Sequence, residues 1–375
     1  MDGGEFASYV CRWARKIKRE FEMSAIAGSV QAKATRSVDG KAVQIWLWCI
    51  AAMIFAIVVV GGATRLTESG LSITEWKPIS GVIPPLSADA WAAEFERYKQ
   101  IPQYSKIFPD MDVDGFKFIF YWEWSHRLLA RTIGLVALLP LLWFWFRGQL
   151  SRQLLPKAVL IPVLIGCEGL LGWFMVMSGL ADRTEVSQYR LAAHLLLASF
   201  TFGYVTWLAT GLIAKARQPE RQSAFVRHFA SVVLVLVFVQ IGLGALVAGL
   251  RAGLTYNTWP MMDGHFVPPT EYLTSLAPAW RNLFENVVTV QFQHRMIAYL
   301  VVILAICQAF AAYGLGNGAK VQRRAVAVAG LALVQAAIGI VTLVLAVPLG
   351  AGLLHQAFAM VLFAMCVVHR RLSAR

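Results

Sequence analysis

Charge is what this sequence is short of. Lys, Arg, Asp and Glu make up 15% of its 375 residues, and 58% of the chain is hydrophobic. A soluble domain carries about 25% charged residues, so a soluble globular protein is excluded. Acidic residues are the scarcer sign: 21 Asp and Glu stand against 34 Lys and Arg, a net charge of +13. Cysteine is scarce too. Cys11, Cys49, Cys167, Cys307 and Cys366 show no metal-like spacing, and none falls in a connection expected outside a membrane. That arrangement offers neither a cysteine metal site nor an external disulfide framework. No cleavable signal peptide is evident, since the first apolar run is long for a signal core and no small-residue cleavage site follows it. The short alternating segments of an outer-membrane barrel are missing as well.

What is present is long apolar runs. Eight approach the roughly 20 residues that cross a bilayer: 45–63, 118–146, 158–178, 191–214, 229–250, 287–313, 325–346 and 350–368. The chain reads as an all-α integral membrane protein with eight transmembrane helices. Its basic residues have an address. They precede run 1 (Arg12, Arg15, Lys16, Lys18, Arg19, Lys33, Arg36, Lys41) and follow run 2 (Arg147, Arg152, Lys157) and run 4 (Lys215, Arg217, Arg221, Arg227). They recur after run 6 (Lys320, Arg323, Arg324) and at the end (Arg370, Arg371, Arg375). Those connections share one side, which the positive-inside rule makes the cytoplasm, with both termini on it. The basic excess belongs to a membrane face, so no nucleic-acid partner is expected.

The chain also repeats itself. "GGATRLTESGLSITEWKP" (61–78) after run 1 echoes "AGLRAGLTYNTWP" (248–260) after run 5. "WSHRLLA" in run 2 echoes "FQHRMIA" in run 6, and "AAHLLLA" in run 4 echoes "LLHQAFA" in run 8. Four helices, an even number, separate the copies, so both have the same orientation and an axis along the membrane normal relates them. The expected organisation is a basic cytoplasmic segment (1–43), a first four-helix bundle (44–215), a cytoplasmic linker (216–228), a second, tandem and pseudo-twofold-related bundle (229–371) and a tail (372–375). The first copy carries more outside sequence: 61 residues separate Arg65 from His126, against 43 between Arg251 and His294.

Four of the seven histidines, His126, His194, His294 and His355, lie a few residues past the outer ends of runs 2, 4, 6 and 8. A single intramembrane His reads as a polar group bonded to a neighbouring helix. Four at one depth, two per copy, suit axial ligation of haem iron by paired imidazoles. His228 and His369 read as interfacial. Arg127 and Arg295 follow the first His of each copy and either snorkel or neutralise haem propionates; Arg65 and Arg251 are weaker candidates of that kind. Gln240 and Gln335 read as buried amides bonded between helices.

The copies differ in carboxylates. Glu123 stands three residues before His126, where the second copy has Gln291. It is also four residues before Arg127, which allows a plain ion pair. A cofactor that only relays electrons needs no acid or base, whereas a haem undergoing chemistry does, so the first copy reads as the catalytic one. Glu168, opposite Gln335 of the second copy, is expected at mid-membrane, away from the outer histidines, as a structural or proton-path residue.

At these residues the chain resembles the heme A synthases. The resemblance covers about residues 43 to 370. It is carried by "TRLTESGLSI" (64–73), "EFERYK" (94–99), "FKFIFYWEWSHR" (116–127), "GLLGWFMVMSGL" (169–180), "VSQYRLAAHL" (186–195), "FQHR" (292–295) and "LLHQ" (353–356). It is closest to the α-proteobacterial and mitochondrial branch, which lacks the outer-loop cysteine pair of the other branch. Glu168 departs from the family pattern, which has Gln there. The resemblance implies an oxidoreductase that takes the C8 methyl of heme O to a formyl group, giving heme A for cytochrome oxidase, with oxygen from water and an unnamed electron acceptor. It implies that Glu123, His126 and His194 act on heme O in the first half. It implies a resident heme B in the second half on His294 and His355, with Arg127 and Arg295 as further haem-binding residues. The expected site is a bacterial inner membrane, with the haem groups toward the periplasm. A heme O synthase, oxidase assembly factors and a homo-oligomer are the partners it suggests. A b-type electron-transfer protein explains the histidines but not Glu123 or the unequal loops; a transporter or haem chaperone fits the repeat but predicts no covalent change in haem.

The charge asymmetry makes a prediction about topology. A reporter fused after Arg375 should be active only where cytoplasmic reporters are, and one inserted in the 64–115 segment only where periplasmic reporters are.

Overall fold

A computed structural model describes residues 38–181, 183–215 and 222–373. The basic segment up to residue 37, the linker arginines Arg217 and Arg221, and Arg375 lie outside the described residues. Eight helices are long and apolar enough to cross a membrane. They are α1 (Lys41–Leu66), α2 (Val113–Phe146), α3 (Leu155–Leu180), α4 (Gln188–Lys215), α5 (Ala224–Gly249), α6 (Val287–Gly314), α7 (Ala319–Val344) and α8 (Leu349–Leu372). Each contains one of the eight apolar runs almost whole and extends it where polar or basic residues still favour helix.

Helix starts follow local chemistry. Asp112 caps α2 by accepting from the Gly115 N–H, Ser223 caps α5 through the Val226 N–H, and Asn286 caps α6 through the N–H groups of Val288 and Thr289. Each supplies an oxygen to amides that have no intrahelical partner. At 34 residues, α2 is the longest. At about 1.5 Å per residue it exceeds a hydrocarbon core of about 30 Å, so it projects past the membrane, and its outer end carries a cap.

Helices α1 to α4 form a ring of neighbours, α1 on α2, α2 on α3, α3 on α4 and α4 on α1; α5 to α8 form a second ring in the same order. Between the rings α4 packs on α5, α1 on α8 and α4 on α8. Small residues and backbone contacts mark these seams. Gln356 Nε2 of α8 donates to the Val58 carbonyl of α1 at 2.6 Å, where Gly62 leaves room for it. Gly203 of α4 faces Phe363 of α8.

Residues 67–112 cap one end of the first ring. Its helix Ala88–Lys99 packs Trp91, Phe95 and Tyr98 against Phe116 and Phe120 of α2. Lys77 and Arg97 both bridge to Glu94, at 2.8 and 2.6 Å. Burial alone would raise the Glu94 carboxyl, but hydrogen bonds from Arg97 and Lys77 outweigh it and hold it below the usual range.

At the same end the two rings are joined by charge. Glu185, just before α4, bridges Arg65 at the end of α1 at 2.6 Å and also Arg251 just after α5; Arg251 reaches Glu68 at 2.6 Å. Arg65 and Arg251 are thus occupied by acids of this chain. Glu185→Gln should remove both bridges and leave the two guanidinium groups facing each other. For partly exposed pairs worth up to about 1 kcal/mol each, the loss should be about 1–2 kcal/mol. It should appear as a lower thermal midpoint in detergent, with the deficit shrinking as salt is added.

Candidate functional site

Each of His126, His194, His294 and His355 sits on a glycine of the helix before it. A Cβ on Gly61 of α1 would lie 3.1 Å from His126 Nε2 of α2. The corresponding approaches are 3.0 Å from Gly172 of α3 to His194 of α4, 3.2 Å from Gly244 of α5 to His294 of α6, and 2.7 Å from Gly339 of α7 to His355 of α8. Any side chain larger than hydrogen would push the ring away. Here the two copies match contact for contact.

The seats also carry polar partners. Four residues before Gly244, Gln240 places Nε2 at 3.3 Å from His294 Nε2 and 2.9 Å from the His294 carbonyl. Four before Gly339, Gln335 places Nε2 at 3.2 Å from His355 Nδ1 and 3.0 Å from its carbonyl. Four before Gly172, Glu168 places Oε1 at 2.8 Å from His194 Nδ1. The fourth place, before Gly61, is Ile57, and among the described residues no hydrogen bond is formed by the His126 ring. The amides therefore hold histidines, a role their reading as generic helix–helix bonds did not include.

Glu168 lies against His194, not away from the outer histidines as its position in the run suggests. Helix α3 overshoots the start of α4: Arg190 of α4 donates to the Phe174 carbonyl of α3 at 2.6 Å, so residue 190 is level with 174. Depth counted from the run ends therefore misplaces α3. His369, read from the sequence as interfacial, lies in the last turn of α8. It is 1% exposed, with its Nε2 at 3.1 Å from Gln308 Nε2.

Residues His294 and His355 face each other with ring centroids 6.4 Å apart and planes at 77°. Two imidazoles on opposite sides of one metal, with metal–nitrogen bonds of about 2 Å, place their centroids roughly 6 Å apart. One ring nitrogen of His294 meets Gln240, and the other, Nδ1, is buried without a hydrogen-bond partner. His126 and His194 are close enough for direct electrostatic interaction. Among the described residues no three His, Cys, Asp or Glu are grouped to hold a bare ion. Pairs of imidazoles suit a group that brings its own equatorial nitrogens, and the spacing of His294 and His355 fits a haem.

Glu123 is 3% exposed and fully engaged. Its Oε2 accepts from Ser72 Oγ and the Ile73 N–H, each at 2.8 Å, and its Oε1 from Arg127 Nε at 3.0 Å and Nη2 at 2.5 Å. Gln291 does the corresponding job with opposite polarity, donating to the carbonyls of Ala252 and Thr255 at 3.0 and 2.8 Å. Both side chains tie the segment after the first helix of their copy to the second. Arg127 extends the tie to the Ile73 and Glu75 carbonyls, and Arg295 does so to those of Tyr256, Thr258 and Met261. Arg131 binds the Lys77 and Pro78 carbonyls. Beneath this segment a cavity of about 260 Å³ is lined by Lys77, Trp124, Arg127 and Arg131 among others.

Residues 44–367 match the cytochrome oxidase assembly protein family. The chain belongs to that family. Its relatives include proteins named heme A synthase. One from Beijerinckia indica subsp. indica is 57% identical, over 88% of this chain and 92% of the relative. Others come from Chelativorans sp., at 53% over 88% and 90%, and Brucella ovis, at 50% over 89% and 92%. The family is thus reached independently of the histidine geometry.

The glycine seats can be tested within one helix. Gly339→Ala should displace the His355 ring and weaken or abolish the bis-histidine haem spectrum of the purified protein. Gly330→Ala, also in α7, meets nothing within 4 Å and should leave that spectrum unchanged.

Proposed function

We propose that this protein is the membrane enzyme that converts heme O to heme A. The observation that carries the reading is the matched pair of histidine sites with carboxylates in only one of them. Glu123 and Glu168 stand in the first copy where Gln291 and Gln335 stand in the second. The relatives' names support the same conclusion. The helix rings support two tandem, pseudo-twofold-related bundles. In this reading His126 and His194 hold the substrate heme O, and His294 and His355 hold a resident heme B that supplies one-electron redox chemistry. The setting is a bacterial inner membrane, with both termini cytoplasmic and the haem sites toward the periplasm.

Converting a methyl to a formyl group with oxygen from water releases protons as well as electrons, so the first site needs a proton acceptor. Glu123 is the proposed one. Four donors address its oxygens, and a proton arriving there has to displace one of them. Ser72 is the donor that can yield, because its Oγ also lies 3.3 Å from the Ile119 carbonyl. Arg127 remains and keeps the group aimed. General-base help of this kind is worth roughly 10²–10⁴-fold. Arg127 and Arg131, lining the outer cavity, are placed to meet the haem propionates. Electrons leave to an acceptor outside this chain.

The test is pigment analysis of protein produced with a heme O source. The wild type should contain heme A or the hydroxylated intermediate along with heme B. Glu123→Gln should keep heme B, accumulate heme O and make heme A at least a hundredfold more slowly. Wild-type protein holding only heme B would identify an electron carrier instead. Normal heme A production by Glu123→Gln would leave Glu123 as a tether of the outer segment alone.

A further inference from the structure

The seats of the two second ligands differ in charge. His355 in the second copy is partnered by the neutral amide of Gln335, and His194 in the first by the carboxylate of Glu168. Acid and amide have nearly the same outline, and each stands four residues before its seating glycine, Gly172 or Gly339. The backbone frame is therefore the same, and the difference is electronic. Glu168 Oε1 lies 2.8 Å from His194 Nδ1, an ion-pair contact, and among the described residues neither carboxylate oxygen accepts a hydrogen bond from any donor. The acid is thus addressed to that ring and to nothing else in its surroundings. Glu123, four-fold bonded to Arg127, Ser72 and Ile73, is not free to play this part.

A carboxylate at Nδ1 does two things to an imidazole. It fixes the tautomer, with the proton on the Nδ1 side and Nε2 left as the ligating nitrogen. It also pushes electron density into the ring and raises its basicity as a ligand. A more basic axial ligand stabilises the ferric state over the ferrous, because hydrogen bonding to the ligand is one of the protein's controls on haem potential. The amide of Gln335 carries no charge and presents its nitrogen, a donor, to His355 Nδ1, so it offers that ring no acceptor. Because the site is walled by apolar helices, the charge is weakly screened and its influence is larger than in water.

We propose that Glu168 is a positioning residue, acting through His194, that holds the iron of the first-copy haem at a lower reduction potential than an amide at the same place would. The first-copy group is then biased to be the one oxidised and the second-copy group the one reduced, which is the direction an oxidation of heme O requires. This inference rests on the assignment of His126 and His194 to the substrate haem.

The experiment is a spectroelectrochemical titration of purified protein carrying heme O and heme B, as wild type, Glu168→Gln and Gln335→Glu. Glu168→Gln should raise the first-copy potential by about 59 mV, the equivalent of a tenfold change in the ferrous-to-ferric ratio for one electron, and leave the second unchanged. Gln335→Glu should lower the second-copy potential by a similar amount. Unchanged potentials in both variants overturn the proposal. Should either variant lose its haem, the other alone decides by the same criterion; loss in both would make the pair a requirement of fit and would also overturn it. A wild type whose heme O spectrum is indifferent to His126→Ala and His194→Ala would defeat the site assignment, an outcome that leaves the Gln335→Glu result at the second site to be read separately.

Discussion

A histidine that is to ligate from within a helix bundle must be held on one edge and open on the other. Holding the edge requires the neighbouring helix to approach within van der Waals contact of the ring. A side chain at the contact point forbids that approach, so the contact point is glycine, at Gly61, Gly172, Gly244 and Gly339. Each glycine lies on the helix immediately before its histidine, so each of the helix pairs α1–α2, α3–α4, α5–α6 and α7–α8 fixes one ring. The helix neighbours, the depth of the rings and the 6.4 Å spacing of His294 and His355 all depend on these approaches. In a bilayer, where lipid competes equally for apolar faces, close contact at small residues is also what holds helices together, so the site and the fold share the same stabilising contacts.

Much of this was legible in the sequence. Hydropathy located eight helices because each run is nearly the length of a bilayer, and the repeat was visible because His126 and His294 keep their neighbours Arg127 and Arg295. The glycine seats were not. Four glycines among 29 carry no periodicity that singles them out, and their meaning depends on which helix faces which. Glu168 was misplaced for a related reason. Its run ends near Ser178, and nothing in the composition says that α3 rises past the first turn of α4. Gln240 and Gln335 were recognised as buried amides, but their partners lie 54 and 20 residues away across connections whose geometry is set by the fold.

Glu123 illustrates a different limit. The i, i+4 spacing to Arg127 gave the ion pair, and the pair is present at 2.5 Å. What spacing could not give is the second half of its environment, Ser72 and Ile73, contributed by a segment about 50 residues earlier. That segment is longer in the first copy than in the second. The longer cap and the acid belong together. An acid needs N–H and O–H donors, and a chain turning back over α2 supplies them, whereas Gln291 donates its amide nitrogen to two carbonyls of a shorter loop.

The two copies thus solve one packing problem in the same way and then differ at three places. Ile57 stands against Gln240, Glu123 against Gln291, and Glu168 against Gln335. None of these exchanges alters the outline of a seat much, and each alters its polarity. A frame fixed by glycine contacts tolerates such changes because the ring positions do not depend on the polar partner. A duplicated site could therefore diverge in charge without losing its histidines. The amide-lined copy has what a stable resident group needs: both rings bonded to neutral partners, with few reasons to exchange protons. The first copy keeps one ring beside an acid and, among the described residues, leaves the other, His126, without a hydrogen-bond partner. If His126 and His194 hold the substrate haem as proposed, a haem that has to enter, change and leave is better served by a site in which one ligand is held and the other is free to let go.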